Sequence, residues 1–257
     1  MIGFFPDPYP DELLYSCCAR FSCRAKYPTR STAAKELFGS KYSLAIVDMP
    51  IGLDNLIARF PSGHIYTSDD MIDNHTLLPL YALFLPYKRL RDVRNDMRGS
   101  GGNHVRSRLG FTTDRMDPPN HLRFCPACVR EDREAFGETY WHRIHQITGV
   151  EACPDHAIFL ESSKMHWRGW YNSNMFVAAE PILPNVCARQ LNLMDAQHSI
   201  QFKLAKDSAW LLRQQGLMVA ESELRKRYLN LLLKHGYANY SGRVRATKLF
   251  DDFIDFY

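Results

Sequence analysis

The residues of this chain whose types and spacing can do chemistry are Cys125, Cys128, Cys153 and His156. Cys125-Pro126-Ala127-Cys128 sets two thiols two residues apart. Cys153-Pro154-Asp155-His156 sets a thiol and an imidazole at the same spacing, and 24 residues separate the two pairs. A gap of two lets both side chains of a tight knuckle point at one ion, and two knuckles complete a tetrahedron of the kind zinc takes. Three thiolates and one imidazole leave no ligand position for water, so the expected Zn2+ is structural and performs no reaction. His142 and His145 lie in the insert between the pairs and are the alternatives for the fourth position. His156 is preferred because it forms a knuckle with Cys153, whereas two histidines three apart inside a helix rarely partner two knuckles.

No catalytic constellation accompanies this pattern. A zinc deaminase needs His-x-Glu upstream and a proline before its Cys-x-x-Cys. Here no upstream histidine is followed two residues later by Glu, and Pro126 lies inside the Cys-x-x-Cys. His-Glu-x-x-His, the zincin signature, is also missing. The expectation is a protein that is not an enzyme.

The elements that position these ligands read as mainly helical. Asp11 to Phe21 sets Leu14, Cys17, Cys18 and Phe21 on one helical face with acids in its first turn. Ser31 is the expected cap of a helix that Gly39 ends. Gly52 to Phe60 is periodic and Pro61 stops it, while Thr67-Ser68-Asp69-Asp70 signals a capped start. Short helices with tight breaks predict a helix-turn-helix domain over 1–118. Pro118-Pro119 marks a boundary, and a small zinc-ribbon or zinc-finger domain follows over 119–167. Its insert carries Phe136, Gly137, Tyr140, Trp141 and Ile144, expected to pack a helix or hairpin against the metal. Residues 168–197 lack a period and contain Pro181 and Pro184, as an irregular layer would. A carboxy-terminal helical region closes 168–257, with helices near 199–215 and 221–235. The run Ser241-Gly242-Arg243-Val244-Arg245 then leads into Leu249, Phe250, Phe253, Ile254 and Tyr257. That end reads equally as a second helix-turn-helix or as a plain helical pair. The apolar pattern breaks off at Phe256-Tyr257, from which a longer native chain is expected.

The charge distribution points to a partner. The net charge of +4 is too mild to identify one, so its location carries the argument. From Lys88 to Arg108 there are seven Lys or Arg against two acids. On a helix, Lys88, Arg91, Arg94 and Arg98 line one side, opposite Leu90, Val93 and Met97, and Arg106 and Arg108 extend the run. A basic stripe opposite an apolar one is an electrostatic footprint for phosphates, and a solvated surface is the bland alternative. Arg243, Arg245 and Lys248 form a second such group. The amino-terminal arm, with Phe4, Phe5, Pro6 and Tyr9 among prolines, cannot be helical and is a candidate extended anchor for a protein partner, or else a cover for the chain's own core. Seven cysteines, three of them in the metal pattern, suit a reducing cytoplasm rather than a secreted disulfide scaffold. The start, Met1 to Asp7, lacks the basic n-region expected of a signal peptide, and Leu77 to Tyr87, short and interrupted by Pro79 and Pro86, is not expected to span a bilayer.

At Arg123-Phe124-Cys125-Pro126-x-Cys128, Gly137-x-x-Tyr140-Trp141-x-Arg143-x-His145-Gln146, Gly149-Val150 and Cys153-Pro154-x-His156 the sequence resembles the TniQ/TnsD family of transposon target-site selectors. Phe5-Pro6-x-Pro8-Tyr9-x-x-Glu12-Leu13-Leu14-Tyr15-Ser16 and His75-Thr76-Leu77-Leu78-Pro79-Leu80-Tyr81 are similar to its TnsD branch in particular. The resemblance implies a nucleoid-associated bacterial adaptor, not an enzyme. Such an adaptor marks double-stranded target DNA and recruits an AAA+ ATPase of the TnsC type, which brings the transposase. Members of other branches ride on a CRISPR effector complex instead. An ordinary zinc-containing helix-turn-helix transcription regulator is the rival that the same parts allow.

Overall fold

The computed structural model describes residues 1–40, 46–99, 104–110, 119–166, 176–214 and 221–253. Among them the order is α1 (Leu14–Arg24), α2 (Arg30–Phe38), α3 (Leu53–Ile57), α4 (Ser68–His75), α5 (Leu78–Ala82), α6 (Tyr87–Arg98) and α7 (Val105–Arg108). Then come β1 (His121–Phe124), α8 (Pro126–Phe136), β2 (Glu161–His166), α9 (Ala196–Arg213), α10 (Glu221–Lys234) and α11 (Ala246–Phe253). The chain is mainly helical, with one antiparallel two-stranded ribbon among the described residues. Residues 111–118 and 254–257, on which Pro118 of the expected domain boundary and the last apolar residues fall, lie outside the described residues.

Local signals account for several boundaries. Thr67 Oγ1 accepts from the Asp70 amide at 3.1 Å and Asp70 Oδ2 accepts from the Thr67 amide at 2.8 Å, a reciprocal cap at the start of α4. Gly39 ends α2 with φ +74°, a left-handed conformation that L side chains resist. Two starts differ from the sequence expectation. The cap of α2 is Thr29, not Ser31. The first helix begins at Leu14 because Asp11 adopts φ +58°. That turn takes Asp11 and Glu12 out of the helix and aims their carboxylates at Arg143 and Arg20.

The core runs without a break from the first seven helices into the metal segment. Phe21, Leu37, Leu53, Leu56, Met71, Ile72, Val93 and Met97 join Leu122, Trp141 and Ile144 in one apolar cluster. Backbone bonds cross the same seam. The Leu13 amide donates to the Trp141 carbonyl at 2.9 Å, and the Arg143 amide donates to the Asp11 carbonyl at 2.8 Å. Trp141 is fully buried, and its indole N–H donates to the Val177 carbonyl at 2.9 Å. The α9 helix packs on α5 and on the 3-10 turn Ile144–Gln146 through Ala205, Ala209 and Leu212. By contrast, α10 and α11 and the turn between them bury only Ala238 among the described residues. No helix of the described residues is long and apolar enough to cross a membrane.

Candidate metal centre and basic surfaces

The ribbon delivers the first ligand pair. β1 pairs with β2 through Phe124↔Glu161 and Arg123↔Ser162, and Cys125 follows β1 directly. Cys125 is also the residue that caps α8, and its Sγ accepts from the Cys128 amide at 3.5 Å. Pro126 fits the first helical position because it has no amide hydrogen to satisfy there. The first pair is thus the opening turn of a helix, where exposed amides and the helix dipole favour a thiolate. The second pair is a tight turn. The Ala157 amide donates to the Cys153 carbonyl at 3.0 Å, and the Cys153 amide donates to the Ile158 carbonyl at 2.8 Å. Ala157 has φ +51°, which lets the chain reverse there.

These two turns bring Cys125, Cys128, Cys153 and His156 together, with their ligand atoms all within 4.8 Å of one another. His156 Nδ1 lies 3.5 Å from Cys125 Sγ, 3.3 Å from Cys128 Sγ and 3.4 Å from Cys153 Sγ. Cys128 Sγ and Cys153 Sγ are 3.7 Å apart. A tetrahedral ion with sulfur ligands at about 2.3 Å and nitrogen at about 2.0 Å needs edges of about 3.5–3.8 Å, so the donor set fits a zinc-sized ion. The sulfurs also need a cation electrostatically. Contact with Cys128 and Cys153 lowers the Cys125 thiol, while contact with Cys125 and Cys153 raises that of Cys128. Three thiols this close cannot all ionise without compensation. His156 Nε2 meets Glu131 Oε1 at 2.8 Å, an outer carboxylate that leaves Nδ1 free to ligate.

The other two histidines are not part of this four-residue ligand group. His142 Nε2 pairs with Asp132 Oδ2 at 2.9 Å, and Asp132 also accepts from Thr139 Oγ1 at 2.8 Å. Burial lowers the His142 pKa, but the Asp132 bond and charge outweigh it and hold the group up. His145 is enclosed and burial pushes it down to about 4; its Nε2 lies 3.6 Å from Cys128 Sγ.

Several positioning residues had no role in the sequence reasoning. Gln146 clasps β1, accepting from the Arg123 amide at 3.0 Å and donating to the Arg123 carbonyl at 2.7 Å. Arg143 donates to Asp11 Oδ1 at 3.1 Å, the Asp73 carbonyl at 2.9 Å and the Thr76 carbonyl at 3.1 Å. The signal available was the Arg143-x-His145-Gln146 run itself, in which polar residues stand where the sequence around them is apolar.

The basic stripe is largely engaged with the protein's own acids. Arg94 grips Asp73 at 2.7 Å and Asp69 at 2.6 Å. Arg98 pairs with Asp54 at 3.1 Å, Arg106 with Asp48 at 2.6 Å and Arg108 with Asp96 at 2.6 Å. At the start of α6 the balance changes. Lys88 and Arg89 are exposed with no carboxylate partner among the described residues, and Arg91 only approaches Asp92 at 4.0 Å. Tyr87, one turn before Arg91, is 63% exposed. Arg243, Arg245 and Lys248 are exposed beside the turn between α10 and α11. The arm packs on its own molecule. Phe5 stacks on Phe60 at 4.3 Å between centroids, Tyr9 stacks on Phe136 at 4.4 Å, and Pro6 is buried. Phe4 touches Phe21 yet keeps 40% of its surface exposed.

The TniQ family model matches residues 3–160, well over half of the chain and inclusive of all four ligands. The chain belongs to the TniQ family. It is also 29% identical over 152 residues to the transposon Tn7 transposition protein TnsD of Escherichia coli. That match covers 59% of this chain and 30% of TnsD, so the match spans under a third of the length of that relative. The matched stretch holds the arm, the first seven helices and the metal centre, and α9 to α11 lie beyond the family model.

Proposed function

We propose that this chain is a target-selection adaptor for DNA transposition. It holds double-stranded target DNA on one surface and recruits an AAA+ ATPase of the TnsC type on another, and the ATPase then brings the transposase. The observation that carries this reading is the TniQ match over residues 3–160, which contains the arm, the helices and the Cys3His centre as one unit. The centre is proposed to hold Zn2+, whose closed shell supplies folding energy and no reaction. Cys125 and Cys128 fix it to α8, and Cys153 and His156 fix the facing turn.

On the DNA side, the ion pairs of Arg94, Arg98, Arg106 and Arg108 direct the proposal toward Lys88, Arg89 and Arg91. Their charge is not spent on a close carboxylate, so phosphates are the natural partners. Arg243, Arg245 and Lys248 provide a second phosphate-facing group, with the α10–α11 pair in the helix-turn-helix role. On the ATPase side, Phe5, Pro6 and Tyr9 hold the arm in place and Phe4 presents the exposed ring.

The test is a reconstitution of the full chain with an AAA+ ATPase of the TnsC type, ATP and duplex DNA, viewed by electron microscopy. The expected product is an ATPase ring or filament on DNA with this chain at one end. A chain that binds DNA and never meets the ATPase would move the assignment to a transcription regulator. Binding to the ATPase only through a CRISPR effector would make it an RNA-guided adaptor.

A further inference from the structure

His145 touches the metal group without belonging to it. The side chain is 1% exposed, and its Nε2 lies 3.6 Å from Cys128 Sγ. Its other nitrogen, Nδ1, is buried and has no hydrogen-bond partner among the described residues. A neutral imidazole carries one N–H, and these surroundings decide which nitrogen bears it. A proton on Nδ1 would bury an orphaned donor and turn the Nε2 lone pair toward sulfur lone pairs. A proton on Nε2 meets the sulfur and leaves only a bare lone pair unsatisfied. Leaving a buried donor unmade is the costlier error.

We propose that His145 is an outer hydrogen-bond donor to the metal thiolates, held as the Nε2–H tautomer, and that it sets how tightly the centre keeps its ion. The inference rests on the zinc assignment above. Three thiolates around a divalent ion leave an excess negative charge on sulfur, and an N–H donor aimed at Cys128 Sγ withdraws part of it. The arrangement is two-sided. Glu131 sets the tautomer of the ligating His156 from outside, while His145 addresses Cys128 Sγ from the core.

The experiment uses the full chain loaded with zinc or cobalt, as wild type, His145→Leu and His145→Gln. Leucine fills the space without a donor, and glutamine returns an N–H near the position of Nε2. Competition with a chromophoric chelator is expected to show zinc affinity about ten- to a hundredfold weaker in His145→Leu and near wild type in His145→Gln. Cobalt spectra are expected to keep the same three-sulfur, one-nitrogen ligand field in all three. Equal affinities in folded variants would overturn the proposal, as would loss of the nitrogen ligand in His145→Leu, which would make His145 itself a ligand. Should the leucine variant fail to fold, long-range 1H–15N spectra of the wild type decide: an Nδ1–H tautomer for His145 overturns it. A wild-type chain that takes up neither ion would instead remove the zinc assignment on which all this stands.

Discussion

Replacing Arg143 by Met is expected to destabilise the helical part and the metal segment together. The guanidinium is 6% exposed and spans the seam between them. On one side it pairs with Asp11 at 3.1 Å, and on the other it donates to the carbonyls of Asp73 and Thr76 at the end of α4. Methionine keeps most of the volume, so the loss is electrostatic. Asp11 retains one donor, the Ile144 amide at 3.1 Å, but two carbonyls at a helix end lose theirs. Breaking a buried pair by removing one partner costs about 3–5 kcal/mol. Domains are stable by roughly 5–15 kcal/mol, so a large fraction would go. The assay is urea unfolding followed at once by far-ultraviolet circular dichroism and by zinc release to a chelator. Both midpoints are expected to fall by the same amount. A loss below about 1 kcal/mol would show that Arg143 behaves like an exposed pair, against the burial argument. Two separate transitions, with helix content lost before or after the zinc, would refute the coupling itself.

Other outcomes follow from the same contacts. Cys128→Ser should abolish stoichiometric zinc binding and melt at least 119–166, read by metal analysis and thermal denaturation; full thermal stability would dismiss the zinc assignment. His75 is kept neutral by burial, with its pKa near 4, and its Nδ1 lies 2.7 Å from the Glu12 carbonyl amid Arg143, Asp11 and Asp70. The unfolded chain takes up that proton near pH 6.5 and the native one does not. Stability is therefore full above about pH 6.5 and falls by roughly 3 kcal/mol toward pH 4. His75→Gln should flatten that slope in urea titrations, and an unaltered pH profile would contradict the account. Charge reversal of Lys88 and Arg91 to Glu should lower the salt slope of DNA binding by about 2 without loss of folding. Arg94→Leu should instead lower the melting temperature, because Asp73 loses its cation and Asp69 keeps only Arg98, at 3.5 Å. Equal stability of the two variants would undo that division of the stripe.

What the sequence disclosed was whatever a few neighbouring residues decide. The Cys-x-x-Cys and Cys-x-x-His spacings, the Thr67–Asp70 cap and Gly39 each act over three or four positions, so pattern and structure agree. The start of α1 was misplaced because Asp11 answers to Arg143, 132 residues away, rather than to its own helix dipole. The basic stripe looked like one phosphate footprint because the carboxylates that occupy Arg94 and Arg106 come from 21 and 58 residues away. Periodicity cannot register such partners. The arm is similar. Its aromatics suggested an outside anchor or a local cover, and the stacking of Phe5 on Phe60 and Tyr9 on Phe136 is settled by tertiary packing alone.

The seating of α1 against Trp141 bears on how the chain comes off the ribosome. Ser16 Oγ accepts from the Trp141 amide across 125 residues of sequence, and Tyr140 and Arg143 reach back to Pro10 and Asp11 over similar spans. At about 5–20 residues per second, the first helix emerges some 6–25 s before the segment around Trp141 is even made. During that interval the apolar side of α1, with Leu14, Cys17, Cys18 and Phe21, has no cover from the metal segment. The seam between α1 and the metal segment can therefore close only after Tyr140, Trp141 and Arg143 have been made.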